Sequence, residues 1–216
     1  MCLIGEYFNN VLKISLENYI VISGPCHAEE IALERLSYLT VASQNINLAK
    51  LLERILKNNY VKVKCSNDII GTEYSAVLKN IYAIASGIAN GLNYGDNFQS
   101  VLISNSIREM QRFICNISKI KRDINQTVYL GDLLVTSYSK FSRNRTFGNM
   151  IGKGYSVKTA LIETNMIVEG YYAAFSAKKI NSTYRTKIPI IESVYNILYK
   201  DRNPKKVFEK LSKKLN

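Results

Sequence analysis

Hydrophobic spacing changes character along this chain near residue 68. Before that point short β-branched runs alternate with helical ones. "NYIVIS", centred on residues 19–23, ends in the turn-forming Ser23-Gly24-Pro25 and predicts a strand. A helix is expected from about His27 to Leu36, opened by Glu29 and Glu30, whose negative charges suit a helix N-terminus. "SYLTVAS" returns as a strand, and "NLAKLLERILKN" follows with apolar positions at Leu48, Leu51, Leu52, Ile55 and Leu56, the spacing of an amphipathic helix. "YVKVKCS" alternates as a strand should. Strand, helix, strand, helix, strand is part of an α/β sheet.

After Ser66 the strand pattern disappears. "NDIIGTEYSAVLKNIYAIASGIANGL" is a long Ala- and Ile-rich helical segment, and after a Gly-Asp-Asn break "FQSVLISNSIREMQRFICNIS" is a second. Further helices are expected at 156–162, 165–180, 189–199 and 204–215, the last two with Pro189 and Pro204 at helix-start positions. The fold class is therefore an α/β piece over residues 1–68 joined to an all-helical domain over 69–216.

Composition limits what such a chain does. Its 216 residues, 47% of them hydrophobic and 21% charged, suffice for a sizeable core. No run approaches the length of a membrane span, and "MCLIGEYFNNVLKIS" lacks the basic-then-apolar layout of a secretory signal, so a cytoplasmic protein is expected. Cys2, Cys26, Cys65 and Cys115 are widely spaced and His27 is the single histidine, which suggests neither a metal site nor a disulfide framework. The net charge of +12 invites a nucleic-acid reading. The excess is spread along the chain without an aromatic-interleaved basic block, so only salt-sensitive, non-specific binding is expected of it.

Lys79, inside "SAVLKN", is the position with the most chemical promise. On a helix its neighbours are Ser75, Ala76, Tyr82 and Ala83, a small and weakly polar stripe with room beside it for a ligand. The same stripe also suits the wet side of a core helix. The blocks around it decide in favour of the ligand. "CSNDIIGTEYSAVLKN" resembles the segment that joins the two domains of bacterial NAD(P)-dependent glycerol-3-phosphate dehydrogenase. "ISGPCHAEEIA", "IASGIANGLNYGDN", "LGDLLVTSYSKFSRNR" with the following Gly148, "IVEGYYAA" and "IPIIESVYNILY" are similar to that family's other blocks, in the same order.

The resemblance implies a Rossmann-type remnant followed by a helical domain like the C-terminal domain of 6-phosphogluconate dehydrogenase. It implies reversible hydride transfer between NAD(P)H and dihydroxyacetone phosphate, giving sn-glycerol 3-phosphate for phospholipid synthesis. Lys79 would be the catalytic acid/base. Gly24, Cys26, Asp132, Ser142, Arg143 and Asn144 would join it in binding substrate, the last three gripping the phosphate. Ala28, Arg143, Ile167 and Glu169 would reach the cofactor. For Asp132 a helix cap, for Glu169 a solvated charge and for Gly24 an ordinary tight turn are the bland readings. His27 reads as packing or capping, and Arg145 as a surface charge. Cys26 stands where the family usually carries a small hydroxyl residue, and a thiol is the weaker hydrogen-bond donor.

One family feature has no counterpart. The dinucleotide domain should open on a strand and a GxGxxG loop, and only 22 residues precede Ser23. The expectation is therefore the later strands of a parallel sheet, weak cofactor binding and low activity, with a homodimer as one way to cover exposed edges. A non-catalytic helical remnant or self-association module is the competing expectation.

Overall fold

The structure is a computed structural model that describes residues 3–215; Cys2 lies outside them. The chain divides into two compact units, Met1–Ala76 with Ser118–Asp132, and Val77–Ile117 with Leu133–Asn216.

The first unit holds helix α1 (Ile4–Asn10), strand β1 (Val21–Ser23), α2 (Ala28–Ala32), β2 (Ser37–Ala42), α3 (Ile46–Leu56) and β3 (Val61–Ser66), and it includes the beginning of α4 (Ile69–Gly91). The sheet order is β1-β2-β3. β2 and β3 are parallel, with Val41 opposite Cys65, and α3 makes the crossover between them. β1 pairs with β2 antiparallel, Ile22 opposite Val41, so the sheet is mixed where a parallel one was expected. The connection from β1 to β2 holds the five-residue α2, its C-cap Leu33 and Glu34 with a left-handed backbone (φ 54°), before β2 begins at Ser37.

Three polar anchors hold this unit together. Glu73 accepts hydrogen bonds from the Tyr19 hydroxyl (2.8 Å) and the Gly5 N–H (3.1 Å), tying α1 to the start of α4. The buried Asp68 takes a two-pronged salt bridge from Arg122, a bond from the Tyr129 hydroxyl at 2.6 Å and one from the Gly71 N–H at 3.0 Å. Segment 118–132 is thereby pinned on the first turn of α4, ending in a π-helical turn over Thr127–Gly131. The Ser75 hydroxyl, bonded to the Thr72 carbonyl at 2.9 Å, also reaches the carbonyl of Val128.

The second unit is helical. It contains the rest of α4, then α5 (Asp96–Ile117), α6 (Asp132–Tyr138, after its first residue), α7 (Arg143–Gly152), α8 (Val157–Glu163), α9 (Glu169–Tyr184), α10 (Pro189–Lys200) and α11 (Pro204–Ser212). Leu78, Ile81, Tyr82, Ile84 and Ile88 of α4 are fully buried and form the unit's centre with Met110, Ile114, Phe147 and Val194. Glycine sets how closely α4 and α7 approach. A Cβ on Gly148 would strike the Ile84 carbonyl, one on Gly87 the Arg145 carbonyl, and one on Gly152 the Ile88 carbonyl. Among the described residues no helix is long and apolar enough to cross a membrane.

Candidate functional site

Lys79 sits half-buried on α4, one residue beyond the fully buried Leu78 and two before Ile81. Its neighbour Asn80 is where α4 is joined to the sequence-distant motifs. The Asn144 side-chain amide donates to Asn80 Oδ1 at 3.1 Å, and Asn144 Oδ1 accepts from the Gly170 N–H at 2.8 Å. The same amide lies 3.4 Å from Glu169 Oε2. Asn144 is thus a buried three-way connector of α4, α7 and the first turn of α9. Gly170 is required at that crossing, because a Cβ would meet the Asn80 carbonyl at 2.6 Å.

Arg143, the first residue of α7, donates through Nη2 to Glu169 Oε1 at 2.8 Å and approaches Met166 Sδ at 3.9 Å. The pair is accessible, with 39% and 43% of the two side chains exposed. Ser142 is buried and caps α7, its hydroxyl accepting from the Arg145 N–H at 3.3 Å. Ile167 stands on the loop before α9 with 69% of its surface exposed. Lys79, Ser142, Arg143, Asn144, Ile167 and Glu169 all belong to the second unit.

The remaining sequence candidates lie in the first unit. Asp132 is 2% exposed and accepts from the Ser23 hydroxyl at 3.1 Å. Gly24 has φ 138°, and a Cβ there would meet the Tyr38 carbonyl at 2.5 Å, so the backbone path beside β2 demands glycine whatever binds nearby. Cys26 is half-buried and in no disulfide among the described residues, and Ala28 is exposed at the start of α2. His27 occupies the residue before α2 without a side-chain capping bond.

Three contributors carry no signal of their own in the sequence. Asn80 and Gly170 lie inside "SAVLKN" and "IVEGYYAA", and Ser23 inside the Gly-Pro turn, but their partners are 64, 26 and 109 positions away along the chain.

Residues 68–209 match the family described as NAD-dependent glycerol-3-phosphate dehydrogenase C-terminus. The chain belongs to this glycerol-3-phosphate dehydrogenase family. A glycerol-3-phosphate dehydrogenase [NAD(P)+] of Bacillus pumilus is 36% identical over 195 residues, which is 90% of this chain and 56% of the relative. One from Fusobacterium nucleatum is 39% identical over 192 residues, 89% of this chain and 57% of that protein. The crystal structure of glycerol-3-phosphate dehydrogenase from Coxiella burnetii superposes with a TM-score of 0.86 at 32% identity, over 89% of this chain and 59% of its own. The chain of this dehydrogenase family therefore spans 56–59% of the length of these relatives.

Proposed function

We propose that this chain carries the substrate-handling part of a glycerol-3-phosphate dehydrogenase, acting on dihydroxyacetone phosphate and sn-glycerol 3-phosphate. The observation that carries the reading is the Arg143–Glu169–Asn144–Asn80 network, which links three separate family motifs next to Lys79 inside one unit.

The chemistry needs a cation for the phosphate and a proton source for the carbonyl oxygen. Arg143 spends one bond on Glu169, which fixes the guanidinium while the rest of its planar donor fork remains to grip a dianionic phosphate. Asn144, assigned to the phosphate on its position in the family's block, is immobilised by its bonds to Asn80 and Gly170 and holds the first turn of α9 beside Arg143. Ser142 holds the turn from which both project. Lys79 is the catalytic acid/base of the proposal. As the ketone is reduced its oxygen gains negative charge, which an ammonium stabilises and protonates; in the reverse direction the neutral amine accepts the hydroxyl proton.

A nicotinamide dinucleotide supplies the hydride when bound. The exposed apolar Ile167 and the Glu169 carboxylate fit the nicotinamide end of such a molecule, the first as a surface for a flat ring and the second as an acceptor for ribose or amide N–H and O–H groups. Asp132, Gly24 and Cys26 are assigned to substrate, and Ala28 to cofactor, on their positions in the family's blocks.

Calorimetric titration of the purified chain with dihydroxyacetone phosphate and with NADH tests the reading. Binding of the phosphate that falls at least tenfold in Arg143→Gln, with the helical circular dichroism unchanged, is expected. Where turnover is measurable, Lys79→Ala abolishes it. Absence of binding for both ligands would favour the non-catalytic module, and normal turnover by Lys79→Ala would remove Lys79 from its role.

A further inference from the structure

The second arginine of "SRNR" faces a different cavity. Residues two apart on an α-helix lie about 200° apart around its axis, so Arg145 projects from the side of α7 opposite Arg143. There it lines a cavity of about 390 Å³ together with Lys140, Lys153, Asn90, Asn93 and Asn149. Three cations and three carboxamides meet with no carboxylate among the described lining residues. None of the three cations makes an ion pair among the described residues.

The lysines by themselves have a local explanation. Lys153 is the C-cap of α7 and Lys140 follows the end of α6, where helix dipoles attract positive charge. Arg145 has none. It sits in the first turn of α7, which carries no acidic residue and where the dipole repels a cation. Its Nε is buried without a hydrogen-bond partner. The carboxamides add donors: Asn149 Nδ2 donates to Asn90 Oδ1 at 2.6 Å, which occupies the Asn90 acceptor and leaves that residue's N–H groups to bond elsewhere.

We propose that this cavity is an anion site for a phosphoryl group, separate from the Arg143 side of α7. A phosphate dianion would offset two of the three positive charges, relieve the repulsion between Arg145 and the α7 dipole, and accept bonds from the ammonium and carboxamide groups around the rim. Free phosphate and the phosphoryl end of a small metabolite share this chemistry. None of the residues assigned to substrate or cofactor lines the cavity, so the site stands whether or not the dehydrogenase reading holds.

The test is calorimetric titration of the whole 216-residue chain with sodium phosphate against sodium chloride at equal ionic strength, repeated with glycerol 3-phosphate. The double variant Lys140→Ala/Lys153→Ala changes two exposed side chains and retains the fold. Saturable phosphate binding that weakens at least tenfold in this variant, and is kept in Arg143→Gln, is the expected result. Equal or tighter binding of glycerol 3-phosphate with the same dependence on the two lysines assigns the site to the phosphorylated metabolite; much weaker binding assigns it to free phosphate. No saturable binding overturns the proposal. So does binding that is lost in Arg143→Gln and kept in the double lysine variant, and so does an equal weakening in both, which general loss of positive charge would produce.

Discussion

Asn144 and Asn80 are 64 positions apart in sequence and joined by a 3.1 Å side-chain hydrogen bond one residue from Lys79. Their contact makes the geometry around Lys79 depend on α7. Asn144 is buried and also receives the Gly170 N–H, so truncating it leaves that buried backbone donor without its acceptor and removes one bond to Asn80 Oδ1. The cost of such a buried orphan is about 1–3 kcal/mol, and the lost bond to Asn80 adds about 1 kcal/mol. Asn144→Ala is expected to lower stability by about 2–4 kcal/mol on that basis. Urea denaturation checks this, and a loss below about 0.5 kcal/mol would mean that water replaces both bonds.

Glu169 behaves oppositely. Its pairing with Arg143 is close to half exposed, and an exposed ion pair contributes about 0–1 kcal/mol. Glu169→Gln should therefore leave the urea midpoint almost unchanged. The binding of dihydroxyacetone phosphate should nevertheless alter, because the guanidinium loses the acceptor that orients it. Titration of the variant beside the parent chain separates the two effects. A fall in stability as large as that of Asn144→Ala would identify Glu169 as a structural cap instead.

The motif residues around Lys79 were legible in the sequence as blocks, and the strands and long helices as periodicity. What escaped was whatever depends on distant partners. α7 has no helical signal in the sequence, since "RNRTFGNMIG" contains Gly148 and Gly152, which weaken a helix in isolation. Those glycines let α7 lie against the α4 backbone, and tertiary contact supplies what local propensity lacks. The apolar residues of α1 show no sustained period; the Glu6 carboxylate accepting from the Leu3 N–H at 3.0 Å, with Glu73 accepting from Gly5, secures it. α9 was expected from 165 but begins at Glu169, four residues after Asn165 takes a left-handed backbone (φ 51°). The antiparallel direction of β1 is likewise invisible to strand periodicity, which carries no information on the direction in which a strand pairs.

The Asp68–Arg122 pair should be the most sensitive polar contact of the first unit. Both side chains are almost entirely buried, with 7% and 2% exposed. Removing one partner of a buried pair costs about 3–5 kcal/mol, because the other charge stays behind uncompensated. Arg122→Met is expected to lose that much and to raise proteolytic cleavage in segment 118–132, which the pair pins to α4. Burial alone would push the Asp68 carboxyl up, but Arg122, the Tyr129 hydroxyl and the Gly71 N–H outweigh it and hold the group below the usual aspartate range. A depressed folded value means that the stabilisation is present at neutral pH and is lost as pH falls through that value. Arg122→Met should shed this acid sensitivity. Equal acid sensitivity in variant and parent would assign it to other carboxylates.

Glu109 imposes the opposite pH dependence on the second unit. It projects from α5 to the N-terminus of α10, where its two oxygens accept from the Ile190 N–H at 2.9 Å and the Ile191 N–H at 3.0 Å. α10 has Pro189 at its first turn and no capping side chain of its own, so a carboxylate 81 residues away supplies the cap. Burial pushes the Glu109 carboxyl up to about 7, against the pull of those two N–H groups and Arg112, and with a push from Glu192. The raised folded value means that the folded state binds the proton more tightly than the unfolded chain. Its contribution is therefore fully present below about 4.5 and is lost as pH rises to about 7, beyond which it is flat. The swing is on the order of a few kcal/mol. Glu109→Gln keeps one acceptor and cannot ionise, so the difference in unfolding free energy between parent and variant should change steadily across that window and level off above it. A difference independent of pH would mean that Glu109 titrates in its ordinary range and that the α10 N-terminus is capped equally well by the charged and the neutral group.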